Sequence, residues 1–219
     1  KSTALAAMVD YANKTFSQHI ITLEDPIEFT HASKKSLISQ RELGDDFSSF
    51  PAALRYCLRQ DPDVIMVGEL RDLETVRLAL QAAETGHLVL TTLHTVDAMQ
   101  SISRIIDVFP PHEQAQLRLR LAELIKGVIA LRLLRKKEGG RIPASEVMIG
   151  TAYVKKLITD NKVTEIPKAI EQGGHYGMQS FLQSLLDIYN KGLADLDECK
   201  LAATNPDDFV TRARGIKSG

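Results

Sequence analysis

Cysteine is nearly absent from this sequence. Only Cys57 and Cys199 occur among its 219 residues, and they lie far apart, outside any paired motif. The sequence therefore favours neither a disulfide framework nor a zinc site. We interpret both residues as buried or unreactive thiols.

The sequence also lacks an excess of charge, a long apolar run and internal repeats. Its 27 lysines and arginines are balanced by 28 acidic residues, and the basic clusters are scattered. This gives no electrostatic case for nucleic acid as a partner. No apolar run approaches the length of a membrane span and no signal-peptide pattern is present, so we expect a soluble protein inside the cell. The length suits one α/β domain with a smaller appendage.

The stretch from Asp61 to His94 is the most informative part of the sequence. Val64 to Val67 is a short apolar run of the kind that forms a fully buried parallel strand. Asp72 is suited to cap the helix that follows, and Gly86 to end that helix in a left-handed conformation. Leu88 to Leu93 is predicted to be the next buried strand.

Two polar residues lie just beyond these predicted strands. Glu69 comes after the first strand and His94 after the second. Two parallel strands joined by one helix have their carboxyl ends at the same edge of a sheet, where open α/β folds bind their ligands. We therefore expect Glu69 and His94 to share that edge, which is our candidate active site.

The first three residues, Lys1-Ser2-Thr3, match the end of the phosphate-binding pattern G-x-x-x-x-G-K-[ST], whose glycines are not in the sequence as given. A helical pattern follows, and Ile20 to Leu23 form a predicted strand that ends in Glu24 and Asp25. A phosphate loop, its helix and a strand tipped with acids is the order expected of a nucleoside-triphosphate site. A solvated chain end is the alternative interpretation of the first three residues.

The rest of the sequence predicts further helices and one more strand. Thr30 to Ser39 is polar and predicts a surface loop or hairpin, and the residues after Asn205 are expected to be frayed. The sequence thus predicts an α/β domain over residues 1–150 and a small helical domain over residues 151–219. We expect helices at Phe50–Gln60, Asp97–Val108 and Glu113–Leu134, a strand at Ala144–Ile149 that closes the sheet, and short helices at Val154–Asn161, Glu165–Gln172 and Met178–Asn190.

Four motifs together resemble those of the secretion ATPases of type IV pili and type II secretion, and within them the branch that retracts pili in twitching motility. KST resembles the end of their Walker A motif, ITLEDPIE the aspartate box, DPDVIMVGELRD the Walker B motif and TGHLVLTTLHT the histidine box. The likeness covers essentially the whole chain. It implies a RecA-like P-loop NTPase core followed by a small carboxyl-terminal α-helical domain.

The family has an additional amino-terminal domain before the P-loop, so this sequence resembles the carboxyl-terminal motor half, or a longer chain given without its front. Apart from that, the sequence differs from the family pattern in two respects. The first is that the glycines of the phosphate-binding loop are not in it. Where retraction ATPases carry the helical segment alanine-isoleucine-arginine-asparagine-leucine-isoleucine-arginine, this chain has residues 152–158 with Lys155 in place of the first arginine. This second difference leaves an accessory retraction ATPase open.

The resemblance implies ATP with Mg²⁺ as the ligand of the edge. Lys1 would contact the β- and γ-phosphates, the Ser2 hydroxyl would bind magnesium, and Thr3 would lie nearby at the helix start. At the end of the Walker B strand, where ordinary P-loop enzymes have an aspartate, this sequence has Gly68, and Glu69 follows it. We expect it to orient or deprotonate the attacking water.

Three more acids and one histidine are assigned to the nucleotide site by the same resemblance. Glu24, Asp25 and Glu28 would act in the second shell of magnesium, although a capping or salt-bridge role is the alternative for the first two. His94 would sense the γ-phosphate.

Other candidates belong to contacts between subunits. His87, at the entrance of the second strand, is expected at a subunit contact or in a local hydrogen bond. Arg104 and Arg132 are candidates for an arginine supplied to a neighbouring subunit, or are surface residues. Arg71 and Asp72 are interpreted as a structural pair at a helix start.

The resemblance further implies a cytoplasmic homohexamer, peripheral at the inner membrane, that acts on an inner-membrane pilus platform protein. A pilus-assembly or type II secretion ATPase is the main alternative, but those commonly carry a tetracysteine zinc module. A nucleic-acid translocase would require a basic stripe with interleaved aromatics, which the sequence lacks. A nucleotide-binding regulator that does not hydrolyse is the third alternative.

Overall fold

Four short parallel strands form the frame of the amino-terminal part of the chain. In the computed structural model, which describes residues 1–215, the strand order in this sheet is β2-β1-β3-β4. Every pairing is parallel, so all four carboxyl ends lie along one edge. The strands are β1 (His19–Glu24), β2 (Leu37–Glu42), β3 (Val64–Val67) and β4 (Leu88–Thr91).

Helices cover both faces of this sheet. Ile20 packs with helix α1 (Ser2–Thr15), whereas its neighbour Ile21 packs with helices α2 (Phe50–Cys57) and α3 (Leu73–Glu84). Successive side chains of a strand point to opposite faces, so a strand covered on both sides must be apolar throughout. All four residues of β3 are buried for this reason, as the sequence predicts.

The caps of α3 are those expected from the sequence. The side chain of Asp72 accepts a hydrogen bond from the backbone N–H of Thr75 at 2.8 Å. Gly86 has a φ of +101°, a backbone conformation that favours glycine. Together they fix where the chain leaves β3 and where it enters β4.

The second strand of the sheet was not predicted. Residues 30–39 were expected to form a loop or hairpin, whereas Leu37–Glu42 form β2, the edge strand parallel to β1. This strand is largely polar, because an edge strand is only half covered and does not need the apolar run of a central strand. The loop before it is held by Asn13, a fully buried residue of α1. Its amide accepts from the Lys34 backbone at 2.9 Å and donates to the Ala32 carbonyl at 2.8 Å.

The chain divides into two compact units, the first of which is Lys1–His94 and the second of which begins at Thr95. These units meet between residues 94 and 95, whereas the predicted motor domain extends over residues 1–150. The division into a motor domain and a helical domain stays a prediction. The second unit contains helices α4 (Ala98–Asp107), α5 (Pro111–Leu124), α6 (Ala152–Thr159), α7 (Ile166–Gln172), α8 (Phe181–Asn190), α9 (Leu196–Ala202) and α10 (Pro206–Ala213), with strands β5 (Gly127–Arg135) and β6 (Arg141–Ile149). The predicted helices at residues 97–108, 154–161, 165–172 and 178–190 all correspond to helices of this unit, with shifted ends.

The long helix predicted over Glu113–Leu134 is wrong in its second half. Helix α5 ends at Leu124, and the residues from Gly127 form β5, which pairs antiparallel with β6. The backbones approach so closely there that a Cβ on Gly127 would lie 2.8 Å from the Met148 carbonyl oxygen. The strand predicted at residues 144–149 exists, but it belongs to this separate two-stranded sheet and does not close the parallel one.

The carboxyl-terminal residues are more ordered than the sequence predicts. Residues after Asn205 were expected to be frayed, yet Pro206–Ala213 form α10 and Phe209 is fully buried. The Phe209 ring meets that of Tyr189 edge to face, with centroids 6.2 Å apart. The last four residues of the predicted frayed segment lie outside the described residues.

Both cysteines are buried and free, as the sequence predicts. Burial, assisted by the neighbouring acids Asp195 and Glu198, raises the pKa of the Cys199 thiol to about 11. Burial also raises the pKa of Cys57. Thiols with raised pKa values are poor nucleophiles at neutral pH.

Among the described residues, no helix combines the length and the apolar character needed to cross a membrane.

Replacement of Asn13 by alanine is expected to lower the free energy of unfolding by about 1–3 kcal/mol, because the Lys34 amide and Ala32 carbonyl lose their partner. Urea denaturation followed by circular dichroism measures this change. Lys35→Ala is the control, since that side chain is exposed in the same loop. Equal stability of the two variants would contradict the structural role of Asn13.

Replacement of Phe209 by alanine is expected to lower the free energy of unfolding by about 3–5 kcal/mol, as for other large core truncations. Leu201, which is 84% exposed, provides the control, and Leu201→Ala should change stability by less than about 0.5 kcal/mol. The same denaturation experiment compares them. A neutral effect of Phe209→Ala would mean that α10 does not contribute to the core.

Candidate active site

Three neighbouring strands deliver their following residues to one edge of the parallel sheet. In the register of the sheet, Leu23 of β1 lies beside Val67 of β3, which lies beside Thr91 of β4. The backbone N–H of Gly68 continues this pairing by donating to the Leu23 carbonyl at 2.8 Å. A Cβ on Gly68 would lie 3.3 Å from that oxygen, so glycine permits the close approach. The edge of the sheet is thus fixed by backbone hydrogen bonds.

An open pocket of about 230 Å³ lies at this edge. Its lining includes all but one of the residues that the sequence assigns to the nucleotide. The predicted residues that line it are Lys1, Ser2, Glu24, Asp25, Glu28, Glu69 and His94. Residues distant in sequence therefore meet where the parallel sheet predicts a ligand site.

Glu69 is held between two basic side chains. Its Oε1 lies 3.0 Å from Nε2 of His94, and its Oε2 accepts a hydrogen bond from Nε of Arg71 at 2.7 Å. Partial burial raises the pKa of Glu69, but the hydrogen bond from Arg71 and the charges of His94 and Arg71 outweigh it, so the pKa lies below its ordinary value. Glu69 is therefore an ionised acceptor at neutral pH.

Arg71 is the site residue that sequence reasoning missed. Besides its bond to Glu69, its guanidinium lies 3.5 Å from Oδ2 of Asp25, and the residue lines the pocket. The sequence offered one signal, since Arg71 lies two positions after Glu69 and directly before the capping Asp72. That signal also fits a surface residue at a helix start, and only the placement of Asp25 on the neighbouring strand end distinguishes the two.

Lys1 lies at the other side of the same arrangement. Its Nζ donates to the carbonyl oxygen of Leu93 and lies 3.4 Å from Nδ1 of His94. His94 is thus placed between Lys1 and Glu69. The imidazole of His94 therefore connects Lys1, at the start of α1, with the carboxylate of Glu69, which follows β3.

The remaining acids are hydrogen-bonded at the same edge. Ser2 Oγ donates to Oε1 of Glu28 at 2.9 Å. Glu24 Oε1 accepts from Thr22 Oγ1 at 2.7 Å and from Gln40 Nε2 at 3.0 Å. These two donors, one on β1 and one on β2, fix the position of the Glu24 carboxylate at the end of its strand.

This donor set fits a magnesium ion that is bound together with a phosphate ligand. The hydroxyl of Ser2 and nearby carboxylates are the oxygen ligands that Mg²⁺ prefers, and it usually retains water and phosphate oxygens as further ligands. Among the described residues there is no group of three or more His, Cys, Asp or Glu side chains arranged to hold a metal alone. The site therefore does not resemble an all-protein metal cage.

Two predicted residues of the first unit lie outside the pocket. Thr3 is exposed in the first turn of α1 and does not line it. His87 lies at the opposite end of β4, where its Nδ1 is 2.9 Å from the Ala82 carbonyl oxygen and 3.0 Å from Thr85 Oγ1. This geometry favours a local hydrogen-bonding role, and a subunit contact of His87 stays a prediction.

The two predicted arginine fingers belong to the second unit. Arg132 donates to the Ala202 carbonyl at 2.7 Å and to Thr204 Oγ1 at 2.9 Å, and its guanidinium lies 3.9 Å from the centre of the Phe181 ring. These contacts favour a structural role for Arg132. Arg104 is exposed on α4, and its role between subunits stays a prediction.

A parallel sheet covered by helices defines an α/β protein. Its polar edge has a lysine at a helix start and carboxylates at the strand ends, and such an edge suits a phosphate ligand. Residues 1–140 match the family described as "Type II/IV secretion system protein". The chain belongs to this family.

Relatives and solved structures agree with this assignment. The chain is 51% identical over 209 residues to the type IV pilus retraction ATPase PilT of Pseudomonas aeruginosa, covering 95% of this chain and 61% of that protein. It is 49% identical to the twitching motility protein of Neisseria gonorrhoeae, covering 95% and 56%. A crystal structure of the pilus retraction motor PilT with bound ADP matches with a TM-score of 0.88 and 47% identity, covering 95% and 59%.

A second pilus ATPase of Pseudomonas aeruginosa is also similar to this chain. PilU of Pseudomonas aeruginosa is 40% identical, covering 95% of this chain and 55% of that protein. The chain thus spans somewhat more than half the length of these three relatives, and it is similar to them over nearly all of its own length.

Proposed function

We propose that the complete protein is an ATPase motor that hydrolyses ATP to ADP and phosphate and powers type IV pilus retraction and twitching motility. The observation that carries this proposal is the pocket at the carboxyl edge of the sheet. There the ionised Glu69 lies in one cluster with His94 and Lys1. The names of the similar proteins supply the biological process.

Phosphoryl transfer to water depends on positioning and on neutralising charge, more than on covalent help from the protein. Lys1 provides the positive charge for the β- and γ-phosphates. Glu69 provides an acceptor for a proton of the attacking water, and its lowered pKa keeps that acceptor ionised. A weak base of this kind orients and polarises water rather than removing its proton outright before attack.

The magnesium that accompanies ATP would be bound through Ser2, with Glu24, Asp25 and Glu28 holding its water ligands. When bound, the metal neutralises part of the phosphate charge. The hydrogen bond of Ser2 with Glu28 supports this assignment, because it keeps the hydroxyl oxygen at the pocket. His94, which contacts both Lys1 and Glu69, is the proposed sensor of the γ-phosphate.

The complete protein is further proposed to form a homohexamer in the cytoplasm, peripheral at the inner membrane, and to act on the pilus platform protein. The likeness to the named pilus ATPases supports these assignments. Retraction is preferred over assembly or secretion because the similarity to retraction proteins extends over 95% of the chain. The assembly and secretion relatives match shorter parts of it, at 56% and 74%.

Replacement of Glu69 by glutamine is expected to lower ATP turnover by about 10²–10⁴-fold while ATP binding is retained, because the amide keeps the shape of the side chain and loses its charge. Steady-state phosphate release by the full-length protein with magnesium measures turnover. Glu74→Gln is the matched control, since Glu74 is 54% exposed, pairs with Arg55 and does not line the pocket. Equal rates for parent and Glu69→Gln would move the catalytic carboxylate to Glu24, Asp25 or Glu28.

The direction of pilus movement is tested in cells. A bacterium whose own retraction ATPase gene has been deleted should regain twitching motility when it expresses the full-length protein, but not when it expresses the Glu69→Gln variant. Twitching-zone diameter and surface pilus content are the measurements. Rescue of a strain lacking the assembly ATPase, without rescue of twitching, would contradict the retraction assignment.

A further inference from the structure

The turn between β3 and α3 places one arginine beside Glu69. Arg71 directly precedes Asp72, whose two carboxylate oxygens accept from the backbone N–H and the hydroxyl of Thr75 at 2.8 and 2.6 Å. These bonds fix the backbone at the start of α3. The side chain of Arg71 therefore starts from a defined position, and its Nε donates to Glu69 at 2.7 Å.

The same guanidinium reaches a second strand end. Its Nη1 lies 3.5 Å from Oδ2 of Asp25, which follows β1. Glu69 follows β3, the neighbour of β1 in the sheet. Arg71 thus connects the carboxylates at two adjacent strand ends, and it does so at the wall of the pocket.

We propose that Arg71 is a positioning residue, which uses its contacts with Glu69 and Asp25 to hold the Glu69 carboxylate in the orientation that accepts a hydrogen bond from the attacking water. The inference rests on the proposed function, since it concerns the same reaction. It gives a role in catalysis to a residue that would otherwise be read as part of a helix start.

The chemistry of arginine supports a positioning role over direct binding of phosphate. A guanidinium is a planar group with several fixed donors, so it can hold two acceptors at a set angle, whereas lysine is a point charge on a flexible stem. Arg71 forms ion pairs with two carboxylates, which offset its positive charge. Less of that charge remains for a phosphate than at Lys1.

The charged groups near Glu69 lie at the ends of neighbouring strands and at the start of α1. Arg71 faces it from the turn after β3 and His94 from the end of β4, while Asp25 faces Arg71 and Lys1 faces His94. Partial burial raises the pKa of Glu69, and the Arg71 hydrogen bond is the largest contribution that lowers it. Loss of Arg71 should therefore raise this pKa and move the acid limb of the kcat profile to higher pH.

The test compares the full-length parent with Arg71→Ala and Arg71→Lys by measuring kcat and KM for ATP across pH. Arg55→Ala is the matched control, because Arg55 is 60% exposed and Arg71 61%, both pair with glutamates, and Arg55 does not line the pocket. Arg71→Ala should lower kcat about 10- to 100-fold, as expected when a catalytic group loses its orientation, with KM unchanged and the acid limb at higher pH. Arg71→Lys should restore the acid limb towards the parent but leave kcat low.

Two results would overturn the inference. A raised KM with unchanged kcat would assign Arg71 to phosphate binding, and a kcat and acid limb equal to those of Arg55→Ala would make it a surface residue. If Arg71→Ala does not fold, Arg71→Lys decides by the same kcat criterion.

Glu69→Gln in the same assay separates the two proposals. An inactive parent contradicts the proposed function. An active Glu69→Gln contradicts the assignment of Glu69, and this inference with it, whereas an active parent, an inactive Glu69→Gln and an unaffected Arg71→Ala contradict only this inference.

Discussion

The parallel pairing of β1 with β3 is the constraint on which the candidate site depends. The two strands are buried on both faces, and the bond from Gly68 N–H to the Leu23 carbonyl extends their pairing to the point where both chains leave the sheet. Glu24 and Asp25 leave one strand there, and Glu69 leaves the next. A shift of one residue in this register would turn each side chain to the other face of the sheet. The burial of both strands, which builds the core, therefore also fixes the positions of the acids.

The acids at this edge would repel one another if they stood alone. Arg71, His94 and Lys1 lie between or beside them, so that each of the nearest carboxylates meets a basic group or a hydrogen-bond donor. Such an arrangement keeps Glu69 ionised while it remains largely shielded from solvent, with its side chain 19% exposed. Water in contact with this carboxylate would be oriented by a fixed charge, which is the contribution that phosphoryl transfer requires from a protein.

Local patterns sufficed to predict most helices and the central strands. The apolar run of β3, the Asp72 cap and the positive φ of Gly86 are each dictated by residues close in sequence. The errors share one cause, which is that each of these elements depends on contacts outside its own segment. Strand β5 continues a leucine-rich helical pattern, and only its nine pairs with β6 make it a strand. Likewise α10 looks polar until Phe209 is placed in a core built from other helices and from strands β5 and β6.

The candidate site divides in the same way. The sequence by itself determined which groups are present at the strand ends and that they share one edge, because parallel strands with short crossovers leave no other arrangement. It could not determine that Arg71 spans Glu69 and Asp25, or that His87 bonds locally, because side-chain partners depend on the spacing of neighbouring strands and on rotamers fixed by packing. The sequence thus set which chemical groups the site contains. Only the tertiary structure decided which side chains are in contact, how their charges are balanced and that the pKa of Glu69 is lowered.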